Sequence, residues 1–582
     1  EYVLIEKKIF EGVEKPVIIV RVKNEKVMPD QNDMFTITYL GSSTQLLDSH
    51  VRYDEIVGGT YNFYKIDCGR NDILKIILTP LDHGVPVLYL NNQSNPHFPT
   101  KDKFMFRSTH PTSPSIIIKN PSSNYFLSVY SATDSLYAIT YTNLLVSFFS
   151  LTPNVPLSIT IPKEESGVYA LYRQQTRKGF RILLSNEEGN LDMYINKVIP
   201  SKAVKAPTKE SFDYQDNGNG YIYFSHEEIR YDSVLFIIYV MHGGLKESRA
   251  TIVVAEQERH AQLVSGKYFN DYVREGIVNK YSYLPSDISP QEEIEINVVV
   301  YSGDPILIAS TNPDLENSQM WVASRLAGEK SGSLTLKIKR EDATHPTGYG
   351  PTLQKGEILY YGILTKGGDA SYSIRIQTGK TIIVLEDGSV TGGTFTKHEE
   401  KTYLFDCAFT TKKLITFTFA ITTENSVGKY YFPHISIKYL PGLSDRNLTD
   451  EEIANRTVDT KLDIRESLRS KIIRFVAKQG MYFIRIQSEL DLEISYLVSL
   501  NANGLSLLPP NSEILSYLAV NTSEIYEVVN VLKGHLLVQV FECFGKVKIS
   551  AAEDDDHYEA KDFSVEFKKS TDGKFDHYFL NY

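Results

Sequence analysis

Short runs in which apolar and polar residues alternate recur along the whole chain, and polar turns separate them. The clearest pair of runs is residues 480–486 and 492–498, both rich in aromatic and β-branched residues. Period-two alternation of such residues is typical of strands, and two runs joined by a short polar turn predict a β-hairpin. The same pair recurs within residues 125–141, 234–254 and 358–376, and again near the N-terminus at 17–22 and 34–39.

The order of these runs repeats, which predicts several similar domains in tandem. A chain of 582 residues is too long for one hydrophobic core. We therefore predict an all-β protein of tandem jelly-roll or Ig-like β-sandwiches, four of them complete, with partial units at both termini. The predicted units are 1–44 (a partial unit holding a closing hairpin), sandwiches at 45–145, 146–258, 259–380 and 381–501, and an incomplete fifth sandwich at 502–582.

Helix-period patterns are nearly absent from the chain. The exception lies in an insertion of the fourth unit, residues 445–470. There Thr449 and Glu452 form a capping-box pattern, which predicts a helix start.

Composition favours strands and excludes some partners. The chain has 38 Tyr and 28 Phe, and aromatic residues enriched in this way favour β-structure. The net charge of −11 argues against a nucleic-acid partner, which would require a basic face. No run approaches the ~20 apolar residues of a membrane helix, so we predict no transmembrane segment.

The three cysteines, Cys68, Cys407 and Cys543, fall in three different predicted units. With one cysteine per unit, no disulfide can close within a domain. We predict buried thiols, because a free cysteine packs as a small hydrophobic residue. An intermolecular disulfide is the alternative that an odd number of cysteines leaves open.

Three segments share a glycine followed by an alternating apolar strand, namely residues 84–91, 189–196 and 303–310. Together with the closing pairs of strands, they resemble the pre-peptidase C-terminal (PPC) domain, a secreted jelly-roll-like β-sandwich. The pattern is most similar to the tandem copies found in large surface proteins of protists, and it extends along the whole chain. Units four and five depart from the glycine motif. The resemblance implies an extracellular, non-catalytic module used for binding or assembly, and it supplies no active site.

Candidate chemistry in the sequence is sparse. No metalloprotease, nucleophile-elbow, phosphate-loop or paired-cysteine motif occurs, so we predict that the protein is not an enzyme and needs no cofactor. One loop groups four oxygen-bearing side chains that could bind Ca²⁺, a cation that prefers clustered oxygen ligands. These side chains are Asp213, Asp216, Asn217 and Asn219. The loop lacks the EF-hand spacing, and a solvated turn is the alternative.

Several other residues have both a structural and a functional interpretation. Four N-x-S/T sequons, at Asn92, Asn447, Asn455 and Asn521, are candidate glycosylation sites and are compatible with a secreted protein. The single tryptophan, Trp321, either belongs to a core, forms a platform for a sugar or anchors an interface. The chain begins with Glu1, which fits either a mature protein after signal removal or a fragment.

Two functions are compatible with these patterns. The first is a structural subunit of an extracellular fibre or coat, and the second is a secreted or surface-anchored adhesin, directed to carbohydrate for example. The first is favoured by the two termini. The fifth unit lacks a closing pair of strands, whereas the N-terminal segment has such a pair and lacks the rest of a unit. We predict that one subunit donates its pair to the next, head to tail, and so forms a homopolymer. The donated apolar residues are Val17, Ile19, Phe35, Ile37 and Tyr39.

Overall fold

The computed structural model describes residues 44–46 and 50–501 with short gaps, and strand segments between 506 and 581. The longest gaps before residue 501 are 324–332, 340–352, 422–432 and 442–462. By its internal contacts the chain divides into two units, Glu1–Thr44 and Gln45–Tyr582. The second unit contains a series of sandwiches, described below.

The strands of each sandwich are named by their position in chain order, A to I. In the first sandwich these are β1 (Thr44–Gln45), β2 (Arg52–Ile56), β3 (Tyr61–Asp67), β4 (Ile73–Pro80), β5 (Val87–Asn92), β6 (Phe106–Arg107), β7 (Ser115–Lys119), β8 (Asn124–Tyr130) and β9 (Ser135–Thr142). In the second they are β10 (Phe148–Ser150), β11 (Leu157–Ile161), β12 (Gly167–Arg173), β13 (Phe180–Glu188), β14 (Leu191–Val198), β15 (Tyr214–Gln215), β16 (Tyr221–Phe224), β17 (Leu235–His242) and β18 (Ser248–Glu256).

The third and fourth sandwiches repeat this series. The third has β19 (Ala261–Gln262), β20 (Tyr268–Val273), β21 (Asn279–Tyr283), β22 (Glu293–Ser302), β23 (Pro305–Ser310), β24 (Trp321–Ala323), β25 (Ser333–Lys339), β26 (Leu359–Thr365) and β27 (Ala370–Thr378). The fourth has β28 (Ile382–Val384), β29 (Ser389–Phe395), β30 (Glu400–Cys407), β31 (Lys413–Ile421), β32 (His434–Pro441), β33 (Asp463–Glu466), β34 (Ser470–Ala477), β35 (Gly480–Gln487) and β36 (Ile494–Asn501).

Each of the first three sandwiches has the same topology. A five-stranded sheet has the order A-C-H-E-F, and a four-stranded sheet has the order B-I-D-G. Strand A runs parallel to strand C in the second and third sandwiches, and their other pairings are antiparallel. Two facing sheets with these orders form a jelly roll. The predicted all-β fold of tandem β-sandwiches is therefore confirmed, and its jelly-roll form is the one observed.

The fourth sandwich differs at one strand. Its sheets have the orders A-C-H-E and B-I-D-G-F, because β33 pairs with β34 instead of joining the opposite sheet. Strand β33 lies within the insertion predicted at 445–470. The predicted helix start, Thr449 to Glu452, lies outside the described residues.

Five further strands follow the fourth sandwich: β37 (Ser506–Leu507), β38 (Tyr526–Glu527), β39 (His535–Val540), β40 (Glu566–Lys569) and β41 (Asp576–Asn581). Strand β37 runs parallel to β38, as A does to C in the second, third and fourth sandwiches. Strands β39, β41 and β40 form a sheet in that order, with antiparallel pairing. This is the D-G-F order of the fourth sandwich. The strands described after residue 501 thus match positions A, C, D, F and G.

The prediction that the recurring strand pairs are hairpins is wrong. In the first sandwich, strand H (β8) pairs with β3 and β5, whereas strand I (β9) pairs with β2 and β4 in the opposite sheet. The same separation occurs in the other three sandwiches. Alternation identifies a strand but not its partner, and the short polar turn crosses between the sheets instead of reversing within one. The N-terminal pair, 17–22 and 34–39, lies outside the described residues.

Each sandwich buries its own apolar core between its two sheets. Trp321 is only 8% exposed and belongs to the core of the third sandwich, so its interpretation as a core residue is confirmed. Cys68 and Cys407 are fully buried in the first and fourth cores, and neither forms a disulfide, as predicted. Cys543 lies outside the described residues.

A polar group sits inside the core of the third sandwich. The hydroxyl of Tyr281 donates to Asp271 Oδ2 at 2.5 Å and lies 2.8 Å from the hydroxyl of Tyr372. Asn279 Nδ2 donates to Tyr372 at 2.8 Å. These four residues, which we call the core quartet, connect strands B, C and I. A buried polar network of this kind is stable only when its members satisfy one another.

One other sandwich repeats the quartet, and two others replace all or part of it. The first sandwich has Asp54, Asn62, Tyr64 and Tyr137 at the same positions, again in mutual hydrogen-bond contact. The strand registers place Ile159, Val168, Ala170 and Ala250 there in the second sandwich, and all four are apolar. The fourth sandwich keeps only the two tyrosines, Tyr403 and Tyr496, whose hydroxyls lie 2.5 Å apart, and has Gly393 and Lys401 at the other two positions. A single tyrosine or aspartate among apolar neighbours would be buried unsatisfied, so each buried hydroxyl of this set occurs with a polar partner.

The third sandwich offers a matched test of this network. Tyr281→Phe is expected to lower the free energy of unfolding by about 1–3 kcal/mol, because Asp271 and Tyr372 lose a buried partner. Tyr361 stacks on Tyr281 with ring centroids 5.4 Å apart, but its buried hydroxyl has no hydrogen-bond partner among the described residues. Tyr361→Phe should therefore be neutral or stabilising. Urea unfolding followed by the fluorescence of Trp321 compares the two; equal losses would contradict the assignment.

Candidate functional site

Successive sandwiches contact each other through the same two strands each time. Strand D of one sandwich packs against strand B of the next, at β4 with β11, β13 with β20, and β22 with β29. The second sandwich's strand B is consequently buried at every residue. The chain is therefore a series of domains with a repeated interface, and not a string of separate ones.

A buried ion pair occupies the same register position in each of these interfaces. Lys75, Arg181 and Glu295 lie at equivalent points of strand D, opposite Thr142, Ala255 and Gln377 of strand I. Across the interface their partners are respectively Glu165, Asp271 and Lys401. The Arg181 Nε atom lies 3.3 Å from Asp271 Oδ2, and both side chains are almost fully buried.

Burial and pairing have opposite effects on these charges. Burial raises the pKa of Asp271, although Arg181 and the Tyr281 hydroxyl act to lower it. For Lys401, burial alone would lower the pKa, but Glu295 and Glu399 outweigh it, so its pKa lies above the ordinary value. Because a buried charge without a partner costs several kcal/mol, each pair fixes the contact between its two sandwiches.

A larger polar cluster forms where all four sandwiches meet. At its centre, Lys267 of the third sandwich donates from Nζ to Glu187 Oε1 of the second at 2.5 Å, and each side chain is 1% exposed. Ser113 of the first sandwich donates to Glu187 Oε2 at 2.6 Å, and Thr251 donates to Oε1 at 3.1 Å. Lys267 also contacts Ser113 and Thr251 at 3.1 and 2.9 Å.

The fourth sandwich enters this cluster through Asp406 on strand C. Its Oδ2 atom lies 3.3 Å from His110 Nε2 of the first sandwich and 3.4 Å from Arg249 NH1 of the second. His110 Nδ1 accepts a hydrogen bond from the backbone N–H of Ser113 at 3.1 Å. We call His110, Ser113, Glu187, Arg249, Thr251, Lys267 and Asp406 the four-sandwich junction.

A β-bulge aims Glu187 at the junction. The pairing of β13 with β18 shifts register between Asn186 and Glu188, which leaves Glu187 outside the regular ladder. Bulges commonly redirect a side chain in this way. Burial alone would raise the pKa of Glu187, but Lys267, His110 and the hydrogen bond from Ser113 outweigh it and hold that pKa below its ordinary value. The carboxylate is therefore charged and fully partnered.

The geometry of the junction suits a structural role. The polar atoms of Glu187 and Lys267 are occupied by partners from three sandwiches and have almost no contact with solvent. Beside it, a small open cleft lies between the first, third and fourth sandwiches and is bordered by Pro80, Thr112, Val264 and Thr381. The junction therefore holds the four domains in one arrangement.

The junction should make stability depend on pH. Burial and the neighbouring Arg249 lower the pKa of His110, despite the opposing effects of Asp406 and Glu187. The folded imidazole thus stays neutral where an unfolded histidine, with a pKa of about 6.5, binds a proton. The stability that neutral His110 provides is therefore complete above the pKa of the unfolded histidine. It is lost as the pH falls through the lower pKa that His110 has in the folded protein.

His110→Asn tests this dependence, because the Oδ1 atom of the asparagine side chain can still accept a hydrogen bond from the Ser113 N–H and does not titrate. The melting temperature of the wild-type protein should fall between pH 7 and pH 5 by more than that of the variant. Glu187 titrates below this range, and Asp216, whose pKa burial raises to about 6, contributes equally to both proteins. Identical pH profiles in differential scanning calorimetry would contradict the assignment.

Sequence reasoning missed the ion pairs and the junction. A signal was present in strand D, where a single charged residue interrupts an apolar run at Lys75 and Arg181. Such a residue indicates a covered outer face, but the partner lies more than 80 residues away for Lys75 and Arg181 and cannot be found from the pattern. For the junction, His110, Ser113 and Lys267 lie in loops without any motif.

The described residues of the predicted calcium loop have protein partners. Asp216 is 2% exposed and accepts from the Met193 N–H at 3.1 Å, and its Oδ2 atom has no hydrogen-bond partner among the described residues. Asp213 accepts from the Lys197 N–H at 2.9 Å. Asn219 accepts through its carbonyl from Asn270 of the third sandwich at 3.2 Å. Asn217 lies outside the described residues.

Within the described part of the chain there is no group of three or more His, Cys, Asp or Glu side chains placed to hold a metal ion. Nor does a helix there have the length and apolarity needed to cross a membrane. Of the candidate glycosylation sites, Asn92 ends strand β5 and is partly exposed. Asn447, Asn455 and Asn521 lie outside the described residues, as do the donor candidates Val17, Ile19, Phe35, Ile37 and Tyr39.

Fold and junction together define a multidomain jelly-roll protein whose sandwiches are joined by buried ion pairs. No protein-family model matches the chain, and no curated protein matches it. Among solved structures it is similar to the pre-peptidase C-terminal domain of a collagenase from Bacillus anthracis, with 12% identity and a TM-score of 0.15 over 18% of this chain and 99% of that domain. It is also similar to a chain of the lipid-containing bacteriophage PM2, with 9% identity and a TM-score of 0.12 over 56% of this chain and 99% of the phage chain. Both are weak structural neighbours.

Proposed function

We propose that this protein is a non-enzymatic structural subunit of an extracellular fibre or coat, assembled head to tail by strand complementation. The observation that carries the proposal is the place of strands H and I. In each of the four sandwiches H lies between C and E, and I lies between B and D. The strands described after residue 501 match positions A, C, D, F and G, and the N-terminal segment carries the sequence pattern of H and I.

Strands H and I are interior strands, each of which pairs with a neighbour on both sides. In the first sandwich, β8 pairs with both β3 and β5, and β9 pairs with both β2 and β4. A unit without them has two divided sheets with unpaired edges, which are templates for strands from another chain. Donated strands would supply main-chain hydrogen bonds and fill the core.

The apolar residues of the donor pair would supply much of the affinity. Val17, Ile19, Phe35, Ile37 and Tyr39 alternate with polar residues, as inward-facing strand residues do. Full burial of each is worth about 1.5–3 kcal/mol, so the gross gain is on the order of 10 kcal/mol before ordering costs. A contact between different surfaces of the two subunits repeats along an open filament.

The buried interfaces support a structural role. Three ion pairs and the four-sandwich junction hold the sandwiches in one arrangement, whereas tandem domains with small polar contacts move relative to one another. The extracellular location rests on the resemblance to tandem PPC-like domains of protist surface proteins and on the glycosylation sequons. A surface-anchored adhesin of the same domains is the second candidate.

Deleting residues 1–40 tests the proposal. These residues belong to a unit separate from Gln45–Tyr582, so the remaining chain keeps its own cores. In sedimentation velocity and negative-stain microscopy, the full chain should form filaments and the deletion variant single particles. A point variant within the donor pair, Ile37→Asp, should also prevent assembly, whereas Thr38→Asp on the alternate face should not.

Two results would contradict the proposal. If the deletion variant polymerises like the full chain, donation of this segment does not join the subunits. If the full chain forms only separate rods, the adhesin is favoured. This second outcome also fits a longer polypeptide in which both halves of each sandwich lie in the same chain.

A further inference from the structure

The loop between strands E and F of the first sandwich forms a tight turn on the outer face of the five-stranded sheet. Thr100 and Lys103 bridge each other, with backbone N–H to carbonyl distances of 3.0 and 3.1 Å. The Ser128 hydroxyl of strand H donates to a carbonyl oxygen of this loop at 2.6 Å, and the Lys101 N–H donates to the Tyr61 hydroxyl at 3.1 Å. The turn is therefore fixed to strands C and H beneath it.

Three exposed cations lie on or next to this turn, above partly exposed tyrosine rings. Lys101 Nζ is 5.9 Å from the centroid of the Tyr130 ring, and the rings of Tyr130 and Tyr61 are 4.9 Å apart. None of the cations forms an ion pair with another described residue. We call this group the tyrosine–cation surface, and its members are Tyr61, Lys101, Lys103, Arg107 and Tyr130.

The second sandwich contains the same turn. Its bridge joins Thr208 and Ser211, with N–H to carbonyl distances of 2.9 and 3.1 Å. The ring that follows the turn, Phe212, lies 5.2 Å from Tyr194 on strand E, and the corresponding rings of the first sandwich are also 5.2 Å apart. Strand β15 pairs with β14 in the register in which β6 pairs with β5. One backbone arrangement therefore occurs twice.

The tyrosine–cation surface is not repeated with that turn. In the second sandwich, four of its five members are replaced by residues that are neither charged nor aromatic. The replaced residues are Tyr61, Tyr130, Lys103 and Arg107, and their respective counterparts are Gly167, Met241, Ser211 and Gln215. Because the turn forms with either set, its fold does not account for the grouping of tyrosines and cations in the first sandwich.

We infer that the tyrosine–cation surface binds an anionic polysaccharide, one that carries carboxylate or sulfate groups on its sugar units. The chain has a net charge of −11, yet this surface holds three cations and only one neighbouring acid in the turn, Asp102. Such a local charge is complementary to an anion. The planar guanidinium of Arg107 suits a carboxylate or sulfate, since it can donate two parallel hydrogen bonds.

The extent and chemistry of the surface favour a sugar polymer. It crosses strands C, H, E and F, so at a spacing of about 4.8 Å per strand it is about 14 Å wide. A ligand with repeated anionic groups can contact several of its cations at once, whereas a single small anion cannot. The apolar rings of Tyr61 and Tyr130 suit the C–H faces of sugars, and their hydroxyls suit a hydroxylated ligand better than the hydrocarbon of a lipid surface.

This inference goes beyond the proposed function, because it involves neither the donor pair nor assembly. A coat subunit with such a surface would attach to an acidic glycan layer. Binding and assembly are measured separately, so either can be absent without the other.

Binding of the full chain to immobilised dextran sulfate, measured by biolayer interferometry, tests the inference. Wild-type protein should bind dextran sulfate but not uncharged dextran, and added salt should weaken the binding. Lys101→Gln/Arg107→Gln should raise the Kd by about tenfold or more, because charge-assisted contacts of two cations are lost. Both side chains are exposed, so the melting temperature of this variant should match that of wild type.

The control removes the same charge from the equivalent turn of the second sandwich. Lys205→Gln/Lys209→Gln alters two exposed lysines there and should leave the Kd within about twofold of wild type. Tyr130→Leu tests the aromatic part of the surface. It should raise the Kd by about threefold or more without changing the salt dependence, because an aromatic contact is lost but no charge.

Polygalacturonate, which carries carboxylates instead of sulfates, distinguishes the two kinds of anionic group. Binding to either charged polymer, lost in Lys101→Gln/Arg107→Gln, supports the inference and identifies the group. Three results would overturn it: no binding to either polymer, equal losses in the two double variants, or tighter binding to vesicles of phosphatidylglycerol and phosphatidylcholine than to both polymers.

Discussion

Lys267→Met is expected to lower the free energy of unfolding by about 3–5 kcal/mol, one of the largest effects of any single substitution in this chain. The substitution removes the cation that lies 2.5 Å from Glu187 and leaves that carboxylate charged and 1% exposed at the junction. Ser113 and Thr251 still donate to Glu187, but they cannot neutralise it. Urea unfolding followed by Trp321, which reports on the sandwich that contains Lys267, measures the loss.

The same residue types provide a matched control on the surface. Lys178 pairs with Glu258, but the two side chains are 56% and 41% exposed. Exposed pairs contribute about 0–1 kcal/mol, so Lys178→Met should change the free energy of unfolding by less than 1 kcal/mol. The double variant Lys267→Met/Glu187→Gln should recover part of the loss, because no buried charge remains unpaired. Equal effects at Lys178 and Lys267 would contradict the junction.

Gly303→Ala is expected to cost about 2–5 kcal/mol, the sum of backbone strain and overpacking. Gly303 has a φ of +76°, which a residue with a Cβ atom rarely adopts. A Cβ atom there would lie 2.4 Å from the carbonyl oxygen of Asp369 and 2.7 Å from Ala370, at the start of strand I. This close approach explains the glycine that opens the motif at 303–310, and Gly84 is similarly close to Ser135.

Gly276 separates the two causes. Its φ is +77°, nearly the same, but a Cβ atom added to it would meet nothing within 4 Å. Gly276→Ala should therefore cost only the backbone strain, about 1–2 kcal/mol. Both glycines lie in the third sandwich, so the fluorescence of Trp321 reports on both variants. If Gly303→Ala and Gly276→Ala lower the free energy of unfolding equally, the close packing of strand I on Gly303 does not contribute to the loss.

The strands and the tandem sandwiches could be predicted because the alternation of apolar and polar residues is a property of short stretches of sequence. The runs around Tyr482 and Tyr496, for example, are strands β35 and β36 in the structure. Their partners could not be predicted, since strands H and I pair with strands that lie far away in the chain. The hairpin prediction was wrong because it required knowledge of strand pairing. The predicted number of sandwiches did not depend on pairing, since it came from the repeated order of the strands.

The junction was beyond prediction for a related physical reason. His110, Glu187, Lys267 and Asp406 come from four domains, and each residue taken alone looks like an ordinary polar residue of a loop or strand. Only the packing of four sandwiches brings them within hydrogen-bond distance. The charged residue at Lys75 or Arg181 in strand D was the one local sign that an outer face is covered.

Strand donation is tested most directly by adding the donor in trans. A synthetic peptide of residues 15–40, added in excess to the full chain, should occupy the acceptor units and shorten or abolish the filaments seen by negative-stain microscopy. The same peptide carrying Ile19→Asp and Ile37→Asp should have no effect, because its apolar face is lost. Filaments of unchanged length and number in the presence of excess wild-type peptide would contradict assembly by donated strands.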